Sequence, residues 1–247
     1  WTDERFTRLV TQLRDEYISY PTDFILNYSN VGYSLLGAMI EQVTRQSFED
    51  YMSENILEPL GMNSSEFSPY ANGSTHFAVG HRWGQQRSNL PVRDIPALGF
   101  NTNVQDMANF ISAILSSGKF QQTRVLSRQS VKSMFQAQNS RIALDLDQLI
   151  GIPWMLGRLE TGERDLVAEH NGSMMNYSSH IMLIPGLDFG LVMLSNTGGI
   201  TNQLRIMSEE IVYKILNEKR RIPINYYTQQ NSTTIAQSRH KSTNRYV

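Results

Sequence analysis

Apolar side chains recur at helical spacing through much of the chain. A repeat of three and four positions places side chains on one face of an α-helix, and Asn or Ser ahead of such a run favours an N-cap. Pro21, the Pro59-Leu60-Gly61 triplet and Gly118 each end one run. The predicted helices are residues 2–18, 32–45, 47–61, 103–118, 127–138 and 203–218.

After residue 150 the pattern changes from helical to extended. The predicted strands are residues 150–159, 166–169, 178–184 and 189–195. The four residues 185–188, Pro-Gly-Leu-Asp, predict an antiparallel hairpin between the last two strands. Helices first, antiparallel strands second and a covering helix last predict an α+β fold, with helices packed on one antiparallel sheet.

Two stretches carry no regular period. Residues 63–101 are rich in Asn, Ser, Gly and Pro but also contain aromatic side chains. Two interpretations remain open for them: a surface excursion with its own small core, or a wall of a functional site. Residues 223–247 offer few apolar side chains to bury, which predicts a disordered tail behind a single domain of residues 1–222.

Composition narrows the possible functions. Apolar residues make up 40% and charged residues 18% of the 247, and the formal net charge is −1. This balance gives no basis for capturing nucleic acid by electrostatics, and no apolar run approaches the roughly 20 residues of a spanning helix. The absence of cysteine excludes disulfides and thiolate chemistry. No cofactor is predicted, and the oligomeric state stays open.

Candidate chemistry begins with a short phrase ahead of the second helix. Residues 27–33 read Asn-Tyr-Ser-Asn-Val-Gly-Tyr, which places Tyr28 and Asn30 two positions apart. A phenol can accept or relay a proton when cations lie beside it, and an amide both donates and accepts hydrogen bonds. The alternative interpretations are structural: Tyr28 packs at the start of a helix, and Asn30 is its N-cap.

A second phrase lies far along the chain. His170-Asn171-Gly172 follows a predicted strand, and Ser173 comes next. A glycine at a strand edge allows another backbone to approach closely. The alternative interpretation of His170 is an ordinary hydrogen-bonded histidine at a strand end. The five histidines show no His-x-x-x-His spacing, and we therefore predict no metal site.

Together the two phrases resemble signature elements of the serine β-lactamase and penicillin-binding-protein superfamily, in its class C β-lactamase, esterase and DD-peptidase branch. The resemblance covers residues 20–220 and implies a helical subdomain beside an antiparallel sheet. It also implies acyl-enzyme chemistry in which Tyr28, Asn30 and His170 are catalytic. Gly172 and Ser173 would bind substrate, the Ser173 amide supplying half of an oxyanion hole.

The resemblance is incomplete, because the family's Ser-x-x-Lys nucleophile box has no match ahead of Tyr28. Ser116-Ser117-Gly118-Lys119 fits the letters, but Gly118 at a helix end keeps Ser116 and Lys119 off one helical face. A chain that begins at Trp1 predicts that an N-terminal segment is missing and that these residues alone do not turn over substrate. Two alternatives remain: a non-catalytic relative, and an unrelated interaction module.

A histidine also stands where the family carries lysine. Neutral imidazole is a weaker anchor for a substrate carboxylate than an ammonium group. The sequence therefore favours an esterase, amidase or D-amino-acid peptidase over an efficient β-lactam hydrolase. Relatives are mostly exported to the bacterial envelope, so an extracytoplasmic location is the expectation.

Overall fold

The computed structural model describes residues 5–69, 77–159 and 165–220. The predicted tail of residues 223–247 lies outside these ranges. The helices are α1 (Leu9–Gln12), α2 (Asn30–Thr44), α3 (Phe48–Met52), α4 (Ile95–Leu98), α5 (Val104–Leu115), α6 (Arg128–Met134) and α7 (Thr201–Arg220). Single turns of 3-10 helix are Phe6–Arg8, Leu13–Asp15, Glu58–Leu60 and Pro185–Leu187, and Ser53–Leu57 is a π-helical turn.

Most strands are short and belong to small ribbons, while the last five form the main sheet. The strands are β1 (Glu66–Phe67), β2 (His81–Arg82), β3 (Gln85–Gln86), β4 (Phe100–Asn101), β5 (Lys119–Phe120), β6 (Thr123–Arg124), β7 (Leu149–Ile150), β8 (Met155–Arg158), β9 (Leu166–Ser173), β10 (Ser178–Ile184) and β11 (Phe189–Ser195). The main sheet is antiparallel throughout, in the order β11-β10-β9-β8-β7. The predicted α+β architecture and the β10–β11 hairpin are confirmed.

Two helical layers cover the sheet, one on each face. On the first face, Ile111 and Ile114 of α5 and Val131 of α6 pack against three residues of the sheet region: Trp154, Ala168 and Leu183. On the second face, Val212 and Leu216 of α7 pack against four residues of the sheet region: Leu159, Val167, Met182 and Ile184. Because side chains alternate across a strand, neighbouring residues of β9 and β10 contribute to opposite layers. This alternation decides which face each functional side chain meets.

Helix α2 belongs to a separate helical subdomain. Its buried face consists of small residues, Ser34, Gly37 and Ala38. A Cβ built on Gly37 would collide with the Pro96 ring at the start of α4, and it would lie 3.3 Å from the Phe6 ring. Gly37 therefore lets α2 approach its neighbours more closely than any other residue could.

The predicted helix 2–18 is wrong in extent. Residues 1–4 lie outside the described ranges, and the remainder forms two 3-10 turns around the four-residue α1. Phe6 and Leu9 are buried, but Val10 is 52% exposed and Tyr17 is 93% exposed. Most helical stability in proteins comes from packing of an apolar face, and this face finds a partner only in its first turn.

The predicted strand 150–159 is also wrong, because it is a hairpin of β7 and β8. Gly151 N–H donates to Trp154 O at 2.7 Å and closes a tight turn that contains Pro153, a residue with no N–H to give to a ladder. The predicted strand 166–169 is too short, since β9 runs on to Ser173. The His-Asn-Gly phrase therefore lies within a strand.

Candidate functional site

Tyr28 and Asn30 lie on either side of the residue that caps α2. Ser29 Oγ accepts a hydrogen bond from Gly32 N–H at 3.0 Å, so Ser29 is the N-cap and Asn30 is the first helical residue. The alternative of Asn30 as the N-cap is therefore wrong. Among the described residues, neither the Tyr28 hydroxyl nor the Asn30 amide has a hydrogen-bond partner, so both groups remain available.

The fold brings Tyr28 to His170. The centroids of the two rings are 6.4 Å apart, and the ring planes are inclined by 39°. The two residues are 142 positions apart in the chain (170 minus 28), so only the tertiary fold makes them neighbours. Tyr28 is 71% exposed, whereas His170 on β9 is half-buried. The pair therefore forms an open surface beside the sheet.

Strand β9 carries His170. Over its second half, this strand pairs with a neighbouring strand on one side and not on the other. Strand β10 pairs with β9 from Ala168 to Ser173. Strand β8 pairs with β9 only from Leu166 to Glu169. Among the described residues, 170–173 thus have no strand partner on the β8 side. We call these four residues the open edge.

Two hydrogen bonds fix which backbone groups point into that space. Leu159 N–H donates to Asp165 O at 2.9 Å on the β8 side, and Met174 N–H donates to Tyr177 O at 3.0 Å on the β10 side. Backbone groups of successive residues in an antiparallel ladder point alternately to the two sides. The N–H and C=O groups of Asn171 and Ser173 are therefore directed to the open edge, and those of His170 and Gly172 to β10.

Gly172 is needed for packing within the sheet. A Cβ built on it would collide with Ser179 Oγ, which lies directly across the ladder on β10. Any side chain at position 172 would therefore displace Ser179 or bend β9. The Gly172 carbonyl also accepts a hydrogen bond from Thr201 Oγ1 at 3.3 Å, which ties the start of α7 to the open edge.

Burial sets the charge state of His170. Burial lowers the pKa of His170 below its ordinary value, and the backbone of Asn171 opposes this only in part. Near neutral pH the imidazole is therefore uncharged and acts as a hydrogen-bonding group. Burial also raises the pKa of Tyr33, and the proximity of Tyr28 adds to that rise.

The irregular stretch between α3 and α5 lies against the end of this strand. Tyr177 Oη donates to Ala78 O at 2.8 Å, Asn176 Nδ2 donates to Ser88 O at 3.1 Å, and Arg82 donates to Met175 O at 3.0 Å. These three bonds hold residues 78–88 against the connection that follows Ser173. Residues 70–76, including His76, lie outside the described ranges. The contacts favour the interpretation of this stretch as a wall beside the site.

The one Ser-x-x-Lys pattern in the described ranges has no helical geometry. Ser116 is the C-cap of α5 and Lys119 begins β5. Ser117 and Gly118 both have positive φ, 54° and 83°. The serine and the lysine therefore do not share a helix turn. The pattern occurs once more in the sequence, at Ser238–Lys241, outside the described ranges and also after Tyr28.

Two cavities lie elsewhere in the described structure. One cavity of about 360 Å³ lies between α5 and β11, and an apolar one of about 130 Å³ lies beneath α3; neither includes Tyr28 or His170. Within the described ranges, no three His, Asp or Glu side chains converge as metal ligands would. None of the helices in those ranges is both long and apolar enough to cross a bilayer.

Sequence reasoning missed three polar residues behind the open edge. Glu169 and Asn171 alternate with His170 on β9, and His180 faces Asn171 across the ladder. The signal was present in the four-residue connection between Ser173 and Ser178, which sets the pairing register. The charge states of these residues depend on burial, however, and burial requires the fold.

Comparison with known proteins supports the resemblance to the serine β-lactamase and penicillin-binding-protein superfamily. The family model described as Beta-lactamase matches residues 2–210. Among curated relatives, "Protein flp" of Staphylococcus aureus (strain MW2) is 28% identical over 201 residues, covering 78% of this chain and 37% of that protein. "Probable hydrolase M10" of Phoma sp. is 26% identical over 194 residues, covering 76% and 30%. The chain thus spans about a third of the length of these relatives.

Solved structures share the fold at low sequence identity. The octameric penicillin-binding protein homologue from Pyrococcus abyssi superposes with a TM-score of 0.66 at 21% identity, covering 86% of this chain and 48% of that one. The penicillin-binding protein from Bacillus halodurans gives a TM-score of 0.70 at 16% identity, covering 85% and 64%. At such identities the likeness establishes the fold, which is that of β-lactamases and transpeptidases.

Proposed function

The chain belongs to the Beta-lactamase family, and from that premise we propose that it forms the Tyr28–His170 half of a serine hydrolase acting through an acyl-enzyme. The observation that carries the proposal is the approach of the two rings to 6.4 Å beside a strand edge with free backbone groups. A phenol, an imidazole and an oriented amide are the parts that acyl transfer uses.

Each residue has a role in this proposal. Tyr28 relays the proton of the attacking hydroxyl, and Asn30 positions the lysine of the nucleophile box or the substrate amide. His170 orients the substrate by a hydrogen bond. Gly172 keeps β9 straight, and the Ser173 N–H, directed to the open edge, stabilises the negative charge that develops on the substrate carbonyl.

The proposal places the nucleophile in polypeptide outside these 247 residues. It is supported by α2, whose solvent-facing side carries large apolar residues: Leu36 is 52%, Met39 61% and Val43 82% exposed. A helix that is apolar all round is normally buried. A segment carrying Ser-x-x-Lys and packed on this side of α2 would cover that surface and begin next to Tyr28.

The substrate class follows from the charge state of His170. A neutral imidazole offers no permanent charge to a carboxylate, so we propose an ester, an amide or a D-amino-acid peptide in preference to a β-lactam. An extracytoplasmic location is part of the same proposal and rests on the family alone. Alkaline phosphatase fused to the full-length protein would be active if this is right and inactive if the protein stays in the cytoplasm.

The test uses the full-length protein and a fluorophosphonate probe. We expect one covalent adduct per chain by intact-mass measurement, on a serine of a Ser-x-x-Lys box ahead of Tyr28. Tyr28→Phe should slow acylation by about 10²-fold or more, the usual contribution of a positioned acid–base group. Tyr20→Phe is the matched control and should acylate at the wild-type rate. No adduct at any pH would overturn the proposal.

A second candidate is a non-catalytic relative that keeps the fold and binds a ligand. It is favoured by one observation, which is that no Ser-x-x-Lys precedes Tyr28 in the 247 residues. The complete reading frame distinguishes the two candidates. A Ser-x-x-Lys at a predicted helix start upstream supports the hydrolase, and a complete frame without one supports the binding protein.

A further inference from the structure

A polar cluster around the buried His180 lies directly behind the open edge, on the face of the sheet that α7 covers. His180 is 1% exposed, and its Nδ1 lies 2.8 Å from Asn171 Oδ1. Its Nε2 lies 3.7 Å from Glu169 Oε2 and has no hydrogen-bond partner in the described ranges. Buried polar atoms are almost always paired, so this arrangement calls for an explanation.

The short contact defines the tautomer of His180. Asn171 Oδ1 is an acceptor, so His180 Nδ1 carries the proton and donates. That leaves the Nε2 lone pair facing Glu169 across a gap too long for a hydrogen bond. Burial, with Arg205 and His170 nearby, lowers the pKa of His180 to about 4. The imidazole is therefore neutral in the range where the protein would work.

The pKa of the Glu169 carboxyl is shifted in the opposite direction to that of His180. Burial raises the pKa of Glu169; Glu209 on α7 adds to the rise, and Arg205 on the same helix opposes it. Arg205 itself is paired with Glu209. The neutral His180 ring adds no charge behind the edge, so its contribution there is geometric.

Asn171 connects the cluster to the site. Its side chain is held by His180 on the α7 face, while its backbone N–H and C=O point into the open edge. Residues 170–173 have ladder bonds to β10 only, because β8 pairs no further than Glu169. The bond to His180 therefore restrains Asn171 at the part of β9 where the second neighbouring strand is absent.

We propose that His180 is a positioning residue that acts through Asn171 to hold the open edge in the geometry that binds the acyl substrate. This inference rests on the proposed function, since the open edge is the surface at which that function places the carbonyl. His180 touches no substrate, because it lies on the opposite face of the sheet from His170.

The test measures amide hydrogen exchange in the full-length protein, which requires no catalysis. His180→Leu removes the donor, and we expect exchange of the His170 and Gly172 amides to accelerate at least about tenfold, since those amides bond to β10 and report local opening. His180→Asn places an amide donor near the position of Nδ1 and should restore slow exchange. Ile184→Ala, on the same face of β10, is the control for a general loss of packing.

Asn171→Ala removes the acceptor of the same hydrogen bond. It is the alternative variant if His180→Leu does not fold. It should give the same acceleration, and adding it to His180→Leu should change little, because residues in one contact are not additive. Equal exchange in His180→Leu and Ile184→Ala would overturn the inference, as would failure of His180→Asn to rescue.

The acylation rate separates this inference from the proposed function. If the wild type acylates, His180→Leu should be slowed about tenfold or more and His180→Asn should not. If the wild type never acylates but the exchange pattern is as expected, the positioning role holds and the hydrolase proposal fails. Normal acylation and normal exchange in His180→Leu would overturn the inference alone.

Discussion

The two long helices, α2 and α7, treat their apolar residues in opposite ways. On α7, Val212 is fully buried and Leu216 is 5% exposed, both packed on the sheet. On α2, Leu36, Met39 and Val43 face outward, whereas the fully buried positions are the small residues Ser34, Gly37 and Ala38. The sheet therefore buries the later turns of α7, although Ile206 and Met207 nearer its start are 40% and 47% exposed. Helix α2 has the environment of a central helix with one side uncovered.

The largest expected difference is between two leucine-to-alanine substitutions, one on α7 and one on α2. Leu216→Ala should lower the free energy of unfolding by about 2–5 kcal/mol, the range for buried leucine. Leu36→Ala, at a side chain that is 52% exposed, should cost less than about 0.5 kcal/mol in this chain. Urea denaturation of the two variants beside the wild type measures both.

The full-length protein sharpens this comparison. If a further segment covers α2 there, Leu36→Ala should cost about 2 kcal/mol or more, as at other buried sites. An unchanged, small cost in the full-length protein would show that the outer side of α2 stays bare.

The second effect is a pH dependence of stability, to which His180 on the α7 side of the sheet contributes. The pKa of His180 falls from 6.5 to about 4 on folding, so the unfolded chain binds the extra proton between these values and stability falls as the pH falls. Linkage gives a loss of roughly 2 kcal/mol between about pH 7 and about pH 5. Glu169, whose pKa is raised by burial, contributes in the opposite direction and offsets part of the loss.

His180→Asn keeps the hydrogen bond to Asn171 and removes the titration. Its stability should therefore vary less between these two pH values than that of the wild type, as measured by urea denaturation at each pH. An identical pH dependence in the variant and the wild type would mean that other groups carry the effect.

The third prediction compares substitutions on the buried and the exposed faces of α2. Gly37→Ala should destabilise by about 1 kcal/mol, because overpacking costs about 1–3 kcal/mol and the gain in helix propensity returns about 1 kcal/mol. The added methyl group would meet the Pro96 ring, which cannot rotate away. Thermal unfolding of Gly37→Ala beside Leu36→Ala compares adjacent residues. A stabilised Gly37→Ala would contradict the close approach of α2 to α4.

The smallest expected effect on stability comes from the ion pairs between Arg5 and the helical subdomain that contains α2. Arg5 pairs with Glu41 at 2.7 Å and with Glu49 at 3.0 Å. The Arg5 side chain is 48% exposed, so Arg5→Gln should cost only about 0.5–1 kcal/mol, and less at high salt. Arg128→Gln, at an exposed position of α6, is the control. Equal costs in 0.05 M and 1 M salt would argue against an ionic contribution.

Local signals predicted the elements whose neighbours are also local. Asn103 caps α5, accepting from Asp106 N–H at 2.9 Å, and β10 and β11 are joined across the four predicted connecting residues. Both rest on contacts between residues a few positions apart. Tyr28, Asn30 and His170 were selected as candidates because the family phrases are local as well, although nothing in those phrases specifies that Tyr28 and His170 meet.

Features that depend on distant neighbours were beyond the sequence. The periodic apolar face of α2, which includes Leu36, Met39 and Val43, would ordinarily be taken as the buried face, yet it is the outer one. Residues 13–18 continued the period of a helix but bury no side chain in the structure. The role of His180 required the register of β9 on β10 and the cover of α7, neither of which a residue pattern contains.

The brevity of the open edge has a consequence for the solubility of the protein. A long unpaired strand is a template on which other chains add and aggregate. Here only Asn171 and Ser173 present backbone groups outward, and β8 ends the exposed stretch on one side while the wall formed by residues 78–88 lies against the other. A foreign strand would gain at most four ladder hydrogen bonds over roughly 13 Å, too few to hold it, so the sheet keeps an accessible edge without inviting polymerisation there.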